Sequence, residues 1–289
     1  MTRFPEPDHD AVEMLLAFAD LVEKHYVLAD RATGYAKSIR SHAVQLAAHL
    51  PCLEATNSAL HDLVPDRHLG LRLARHDDFA PSPGGTHTPP GGGFRRIGDL
   101  DDSVCLVEIQ PVFSRPEDAL PELRAVAQSA ALARALVLDL RRCGGGDTDT
   151  AALVHGWLLG PSPVRIGRFE HRGSPSVDCI SDPGVGVYFT GPVRILTSSR
   201  TFSGGEDIAY VQHSLGRARV FGEQTHGGAH PVEHFPLPGG RTCQIPVARC
   251  VIDVTGSNWE GVGVTPDVIC PADAALNRAR HELAALRPY

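Results

Sequence analysis

Twice in this chain a short apolar run ends in a glycine corner that opens into an amphipathic stretch. ALVLDL (135–140) runs into RRCGGGDTDT and then AALVHGWLL; PVRILTS (192–198) runs into SRTFSGGED and then IAYVQHSLG. A nearly continuous apolar run of this length reads as a strand buried on both faces. A strand, a helix and a second strand of the same sheet connect with a right-handed crossover. The pattern restricts the chain to an α/β architecture with a partly parallel sheet. Binding groups in such sheets collect at the carboxyl ends of strands, which is where both glycine corners fall.

The remaining segments are read around that core. DAVEMLLAFADLVEKHYVL, RATGYAKSIRSHAVQLAAHL and LEATNSALHDLV carry apolar residues at helical spacing. They predict three helices with breaks at 32–34 and at Pro51, a small antiparallel bundle over residues 1–65. Residues 66–93 predict a strand after His68, where Leu69, Leu71 and Leu73 alternate, and then a Pro/Gly-rich linker, HDDFAPSPGGTHTPPGGG. Residues 94–289 form the α/β core and end in a helix, AALNRARHELAAL. SVCLVEIQ, PVRIGRF, GVYF and RARVFGE are further strands, and RPEDALPELRAVAQSA is a helix with Pro116 near its start.

Composition narrows the function. With 289 residues, 42% of them hydrophobic and 21% charged, the chain has enough apolar material for a sizeable core. A formal charge of −7 argues against nucleic acid as a partner, and no apolar run is long enough to span a bilayer. The opening MTRFPEPDHD has acids and prolines where an exported chain carries an apolar segment, so a cytoplasmic location is expected. The seven cysteines fit it: their number is odd and no two form a C-x-x-C pair, which predicts reduced thiols and no zinc knuckle.

Ser203 admits two readings. With Glu206 three residues on, it has the pattern of a capping box, which requires no catalysis. At a helix N-terminus it is also placed to attack a carbonyl, with the Gly204 N–H facing the resulting oxyanion. Gly145, in the first corner, is the best candidate for a second N–H donor. The glycines there are not a phosphate loop, because no Lys-Ser/Thr pair follows them. His226, His230 and His234 are spaced by four and would share one face of a strand, but no carboxylate or thiol completes a ligand set, so no metal is expected.

LVLDLRRCGGG, LTSSRTFSGGEDIAY, GRARVFGEQTHGGAHP and NWEGVGVTPDV, in that order, resemble the C-terminal processing (tail-specific) serine peptidases. The likeness is greatest to the branch similar to interphotoreceptor retinoid-binding protein and the tricorn core protease. It covers roughly residues 94–275 and implies a ClpP/crotonase-like core of strand-helix repeats behind the N-terminal bundle. It implies Ser203 as nucleophile, Gly204 and Gly145 as the oxyanion hole, and no cofactor. The tail-specific base is a lysine, and the motif puts Gly228 in its place; the only lysines here are Lys24 and Lys37. Arginine does not deprotonate in a protein, so a Ser-Lys dyad is not expected. In the tricorn-like arrangement His68, in PDRHLGL, stands as base and Glu260, in NWEGVGVTPD, as the acid that orients it, with His230 as alternative base. Outside that resemblance His68 is an ordinary strand-end histidine and Glu260 a cap on the turn before Gly261. Asp139 and Arg141 are read as strand-end anchors, Asn258 and Trp259 as pocket wall or turn, and Asp267 as a turn acid.

Residues 69–93 are too short a stretch for the PDZ domain that many tail-specific peptidases insert. The expected partner is therefore a peptide or small acyl compound chosen by the site itself, as in a pathway-specific peptidase, cyclase or transpeptidase. Neither nucleic acid nor membrane is expected, and an oligomer stays open. The rival reading is a non-catalytic carrier of a small apolar, retinoid- or lipid-like ligand, with Ser203 as a mere cap.

Overall fold

A computed structural model of the protein describes residues 9–73, 89–100 and 103–286. Helices α1 (His9–His25), α2 (Ala29–Ser41), α3 (Ala43–Ala47) and α4 (Leu53–Leu63) come first, then strand β1 (Gly70–Leu73). Strands β2 (Phe94–Leu100) and β3 (Val104–Ile109) lead to α5 (Pro116–Ala130), β4 (Ala135–Asp139) and α6 (Thr148–Leu159). There follow β5 (Arg165–His171), β6 (Val177–Ile180), β7 (Val193–Thr197), α7 (Gly204–Ser214) and β8 (Ala218–Gly222). The chain closes with β9 (Val232–Leu237), β10 (Arg241–Pro246), β11 (Ala248–Ile252), β12 (Val268–Ile269) and α8 (Ala275–Ala285). The Pro/Gly-rich linker expected from residue 76 onward lies outside the described residues as far as residue 88.

Contacts divide the chain into two units, and the division is not linear. The first unit takes Met1–Thr86 together with Glu170–Ser176 and His230–Arg249; the second takes the rest. The boundaries expected at 65 and 93 miss the two returning segments, one of which, His230–Arg249, returns because β1 pairs with β10. β1 pairs antiparallel with β10, Gly70 opposite Gln244, and β10 pairs antiparallel with β9. Beside this three-stranded sheet, Leu15, Phe18 and Val22 of α1 share a core with Ile39, Leu46, Leu60, Leu71, Cys243 and Ile245. Four helices stand where three are expected. The first break falls at 26–28, and Gly34 lies inside α2. A glycine in a helix interior costs about 1 kcal/mol relative to alanine; burial of Ala32, Ala36 and Ile39 on the same helix outweighs it. The second long stretch divides at His42, whose ring Nδ1 bonds to the Ser38 carbonyl at 2.9 Å.

The second unit is the α/β core. Its six-stranded sheet has the order β12-β8-β7-β4-β3-β2, parallel except for β2. β4 and β7 are buried along their whole length, as their unbroken apolar runs require. Leu136 and Leu138 face a core with Leu123 and Val126 of α5, Val154 of α6 and Ile208 of α7. Ala135 and Val137 face the other way, toward Ala275, Ala279 and Leu283 of α8. Helices therefore cover both faces, and the two glycine corners follow adjacent parallel strands. GVYF, expected as a strand, is irregular: Gly186, its first residue, is left-handed, and the Phe189 N–H donates to the carbonyl of Trp157 in α6 rather than to a strand. Among the described residues no helix is long and apolar enough to cross a membrane.

Candidate active site

The two corners are stitched to each other by side chains leaving β7. The Ser198 hydroxyl donates to the Arg141 carbonyl at 2.5 Å and the Thr201 hydroxyl to the Leu140 carbonyl at 2.8 Å. The Phe202 N–H donates to the Cys143 carbonyl at 3.0 Å. The next residue, Ser203, sits at φ 52°, ψ −121°. A capping residue ordinarily has extended backbone angles. A serine at positive φ carries strain on the order of 1–3 kcal/mol, and such strain gathers at functional turns. A sharp, strained strand-to-helix turn that lifts a serine hydroxyl into the open is the geometry of a nucleophile elbow.

The glycine corner after β4 closes onto this serine. Gly145 has φ +104°, and a Cβ there would stand 2.8 Å from both the Ser203 Cβ and the Gly204 nitrogen. The Gly145 carbonyl accepts the Phe113 N–H at 3.0 Å, and the Gly144 N–H donates to the Pro111 carbonyl at 2.7 Å, so the loop is held from behind. A Cβ on Gly204 would strike the Phe113 ring at 2.6 Å. Among the described residues, no backbone carbonyl takes the N–H of Gly145 or of Gly204. Ser203, Gly145 and Gly204 are thus brought together as expected, with two backbone amides free of carbonyls beside one hydroxyl.

Glu206 does more than its capping pattern suggests. Its fully buried carboxylate accepts the Ser203 N–H at 2.9 Å, and it also accepts the Gly227 N–H at 2.7 Å, the Gly228 N–H at 2.9 Å and the Thr225 hydroxyl. Burial pushes this carboxyl above the usual range, and the Thr225 hydroxyl and the three backbone donors pull it back. One carboxylate therefore fixes both the serine turn and the segment after β8. Glu206→Ala should destabilise the protein by about 3–5 kcal/mol, the range for removing one partner of a buried charged network. A shift in the urea midpoint of unfolding measures it, and a loss under about 1 kcal/mol would contradict the anchoring role.

Glu260 lies in the same unit. It accepts the Ala229 N–H at 2.6 Å, and its own N–H donates to Asn258 Oδ1 at 2.9 Å. The Trp259 indole N–H donates to the Gly228 carbonyl at 2.7 Å. Glu260 and Trp259 thus grip the 228–229 backbone. Arg141 pairs with Asp139 through two side-chain hydrogen bonds, the anchor expected at that strand end.

His68 and His230 lie in the first unit, both buried, beside a carboxylate that the motifs do not single out. Asp66, between α4 and β1, is 2% exposed. It accepts the His68 backbone N–H at 2.9 Å and the Tyr26 hydroxyl at 2.6 Å, and His230 Nδ1 stands 3.9 Å from its Oδ2. Burial pushes the Asp66 carboxyl upward, but His230, the Tyr26 hydroxyl and His68 outweigh it and hold the group below its ordinary value. The one signal in the sequence is an acid two residues ahead of His68, where the chain turns from helix to strand. The three histidines spaced by four do not share a strand face, since β9 begins at Val232. His226 packs edge-on against Phe202, while His234 Nε2 stands 3.0 Å from an Arg72 nitrogen.

Solved structures with the same fold include a Parabacteroides merdae protein, 17% identical over 96% of this chain and 97% of that one, with a TM-score of 0.67. The photosystem II D1 C-terminal processing protease is 15% identical over 91% and 94%, with a TM-score of 0.54. The tricorn protease is 16% identical over 96% of this chain but only 36% of its own, with a TM-score of 0.62. The profile of peptidase family S41 matches residues 106–270, more than half of the sequence and the whole run from β4 through the Ser203 turn to Glu260. On that match the chain belongs to peptidase family S41, a family of serine peptidases.

Proposed function

We propose that the protein cleaves a peptide or amide bond, or an ester, through an acyl-enzyme on Ser203, with a histidine in place of a lysine as base. The observation that carries this reading is the strained Ser203 turn with the Gly145 backbone packed against it. A serine that only caps a helix needs neither positive φ nor a second glycine amide beside it. In this reading Ser203 attacks the carbonyl, and the Gly204 and Gly145 N–H groups hold the oxyanion. His68 takes the serine proton and returns it to the leaving group, while Glu260 fixes the imidazole tautomer. The burial of His68 beside Asp66 supports the first role, and Lys24 and Lys37, on α1 and α2, leave the Gly228 position without a lysine. The acyl-enzyme is open to water or to an amine, so hydrolysis, cyclisation and transpeptidation share one chemistry. The substrate is a peptide or small acyl compound that the site selects without a PDZ domain inserted between His68 and Phe94.

A fluorophosphonate probe should label Ser203 covalently, and His68→Ala should lose the label, as read by intact mass. Labelling that survives in His68→Ala and vanishes in His230→Ala moves the base to His230. A folded wild type that takes no label at all overturns the hydrolase reading and leaves a carrier of apolar ligands as the use of this fold.

A further inference from the structure

The buried carboxylate of Asp66 is given no chemical step in the reading above. Its two oxygens are used differently. Oδ1 accepts the backbone N–H of His68, which fixes the turn that presents the imidazole. Oδ2 accepts the Tyr26 hydroxyl and faces Nδ1 of His230. Tyr26 follows the end of α1, His68 precedes β1, and His230 lies just ahead of β9. Within the first unit these three titratable side chains face Asp66, and each comes from a different part of it.

A structural explanation alone fits poorly. A buried aspartate is costly unless paired, and an apolar residue of similar volume would fill the space more cheaply. Here the acid is held below its ordinary pKa beside two buried imidazoles. We propose that Asp66 is a positioning residue of the base assembly: it fixes the His68 turn and gives His68 and His230 one shared counter-charge. The proposal rests on the assignment of a histidine base. Its consequence is a base whose proton affinity depends on this carboxylate, with the Tyr26 hydroxyl moderating the carboxylate's pull. Whichever imidazole takes the serine proton, the other and Asp66 tune it.

The test is a pH titration of the imidazole resonances by NMR in the intact protein, with His68→Gln and His230→Gln used to assign the two rings. Asp66→Asn removes the counter-charge, so both rings should titrate lower, by about one pH unit for the nearer. Tyr26→Phe removes a donor that neutralises part of the carboxylate, so the His230 midpoint should move upward instead. Opposite signs distinguish electrostatic tuning from loosened packing, which would move both variants the same way. Should Asp66→Asn fail to fold, Tyr26→Phe decides alone: an upward shift supports the proposal, and an unmoved or lowered midpoint overturns it. In parallel, the pH dependence of fluorophosphonate labelling should shift its acid limb to lower pH in Asp66→Asn, because the base is then neutral over a wider range. A labelled wild type whose imidazole midpoints do not move in Asp66→Asn overturns the role of Asp66 and leaves the hydrolase reading standing. An unlabelled wild type overturns the hydrolase reading and the catalytic sense of this proposal together, whatever the titration shows.

Discussion

Ser203→Ala should reduce turnover by about 10⁴-fold or more while leaving the fold intact, because removing the nucleophile of an acyl-transfer site leaves only oxyanion binding and positioning. The structure sharpens the expectation for stability. Alanine inherits the strained backbone at φ 52°, ψ −121°, so Ser203→Ala should change stability by no more than about 1 kcal/mol. Glycine is free of that strain, so Ser203→Gly should be equally inactive yet more stable than Ser203→Ala, by about 1 kcal/mol less its greater chain entropy in the unfolded state. Thermal unfolding of the two variants, beside single-turnover assays with an activated ester, checks both halves. Full activity in Ser203→Ala would remove the nucleophile from Ser203. A Ser203→Gly protein no more stable than Ser203→Ala would remove the strain argument.

Gly145→Ala should be a damaging single-methyl change at the Ser203 corner. The added carbon would have 2.8 Å to the Ser203 Cβ and to the Gly204 nitrogen, and 3.1 Å to the Phe202 carbonyl. Two of these are backbone atoms, which no rotamer change moves aside. The backbone angle itself, φ +104°, is one that alanine rarely adopts. The loop must therefore shift, and its N–H with it. Loss of one oxyanion donor costs about 10²–10³ in kcat, roughly 3–4 kcal/mol, so Gly145→Ala should lose at least that much. Labelling by the fluorophosphonate probe should slow in proportion, since the phosphonyl oxygen uses the same donors. A variant that folds and reacts at the wild-type rate would show that the Gly145 amide takes no part.

The sequence makes this corner legible because the chemistry and the local pattern coincide. Apolar runs mark β4 and β7 as buried, and glycines mark where each ends. The neighbourhood of Ser203 follows from the adjacency of those two strands, confirmed by their parallel register. Less legible are the contacts that depend on chain return. Nothing around Gly70 signals a partner at Gln244, and no alternation marks β9 and β10 as the strands that complete the sheet. Gly34 reads as a helix break by propensity, yet the core beneath α2 overrides it. GVYF reads as a strand by composition, yet it hydrogen-bonds to the end of a helix. Glu206 is half legible: the capping pattern predicts its bond to Ser203, while its three other donors come from residues nineteen or more positions later. Asp66 is hidden for the same reason. Its partners Tyr26 and His230 are distant in sequence, and an acid before a histidine is common.

The returning segments carry a consequence for how this protein can be cut or recombined. A fragment ending at residue 86 would keep the helices and β1 but lose β10, the strand β1 is bonded to, and would expose the apolar side chains that Cys243 and Ile245 cover. Such a piece has an open strand edge over a bare core, a template for aggregation. The N-terminal helices are therefore no detachable module: shuffling them onto another enzyme demands that residues 230–249 travel too, and a ribosome must finish most of the chain before the first unit can close.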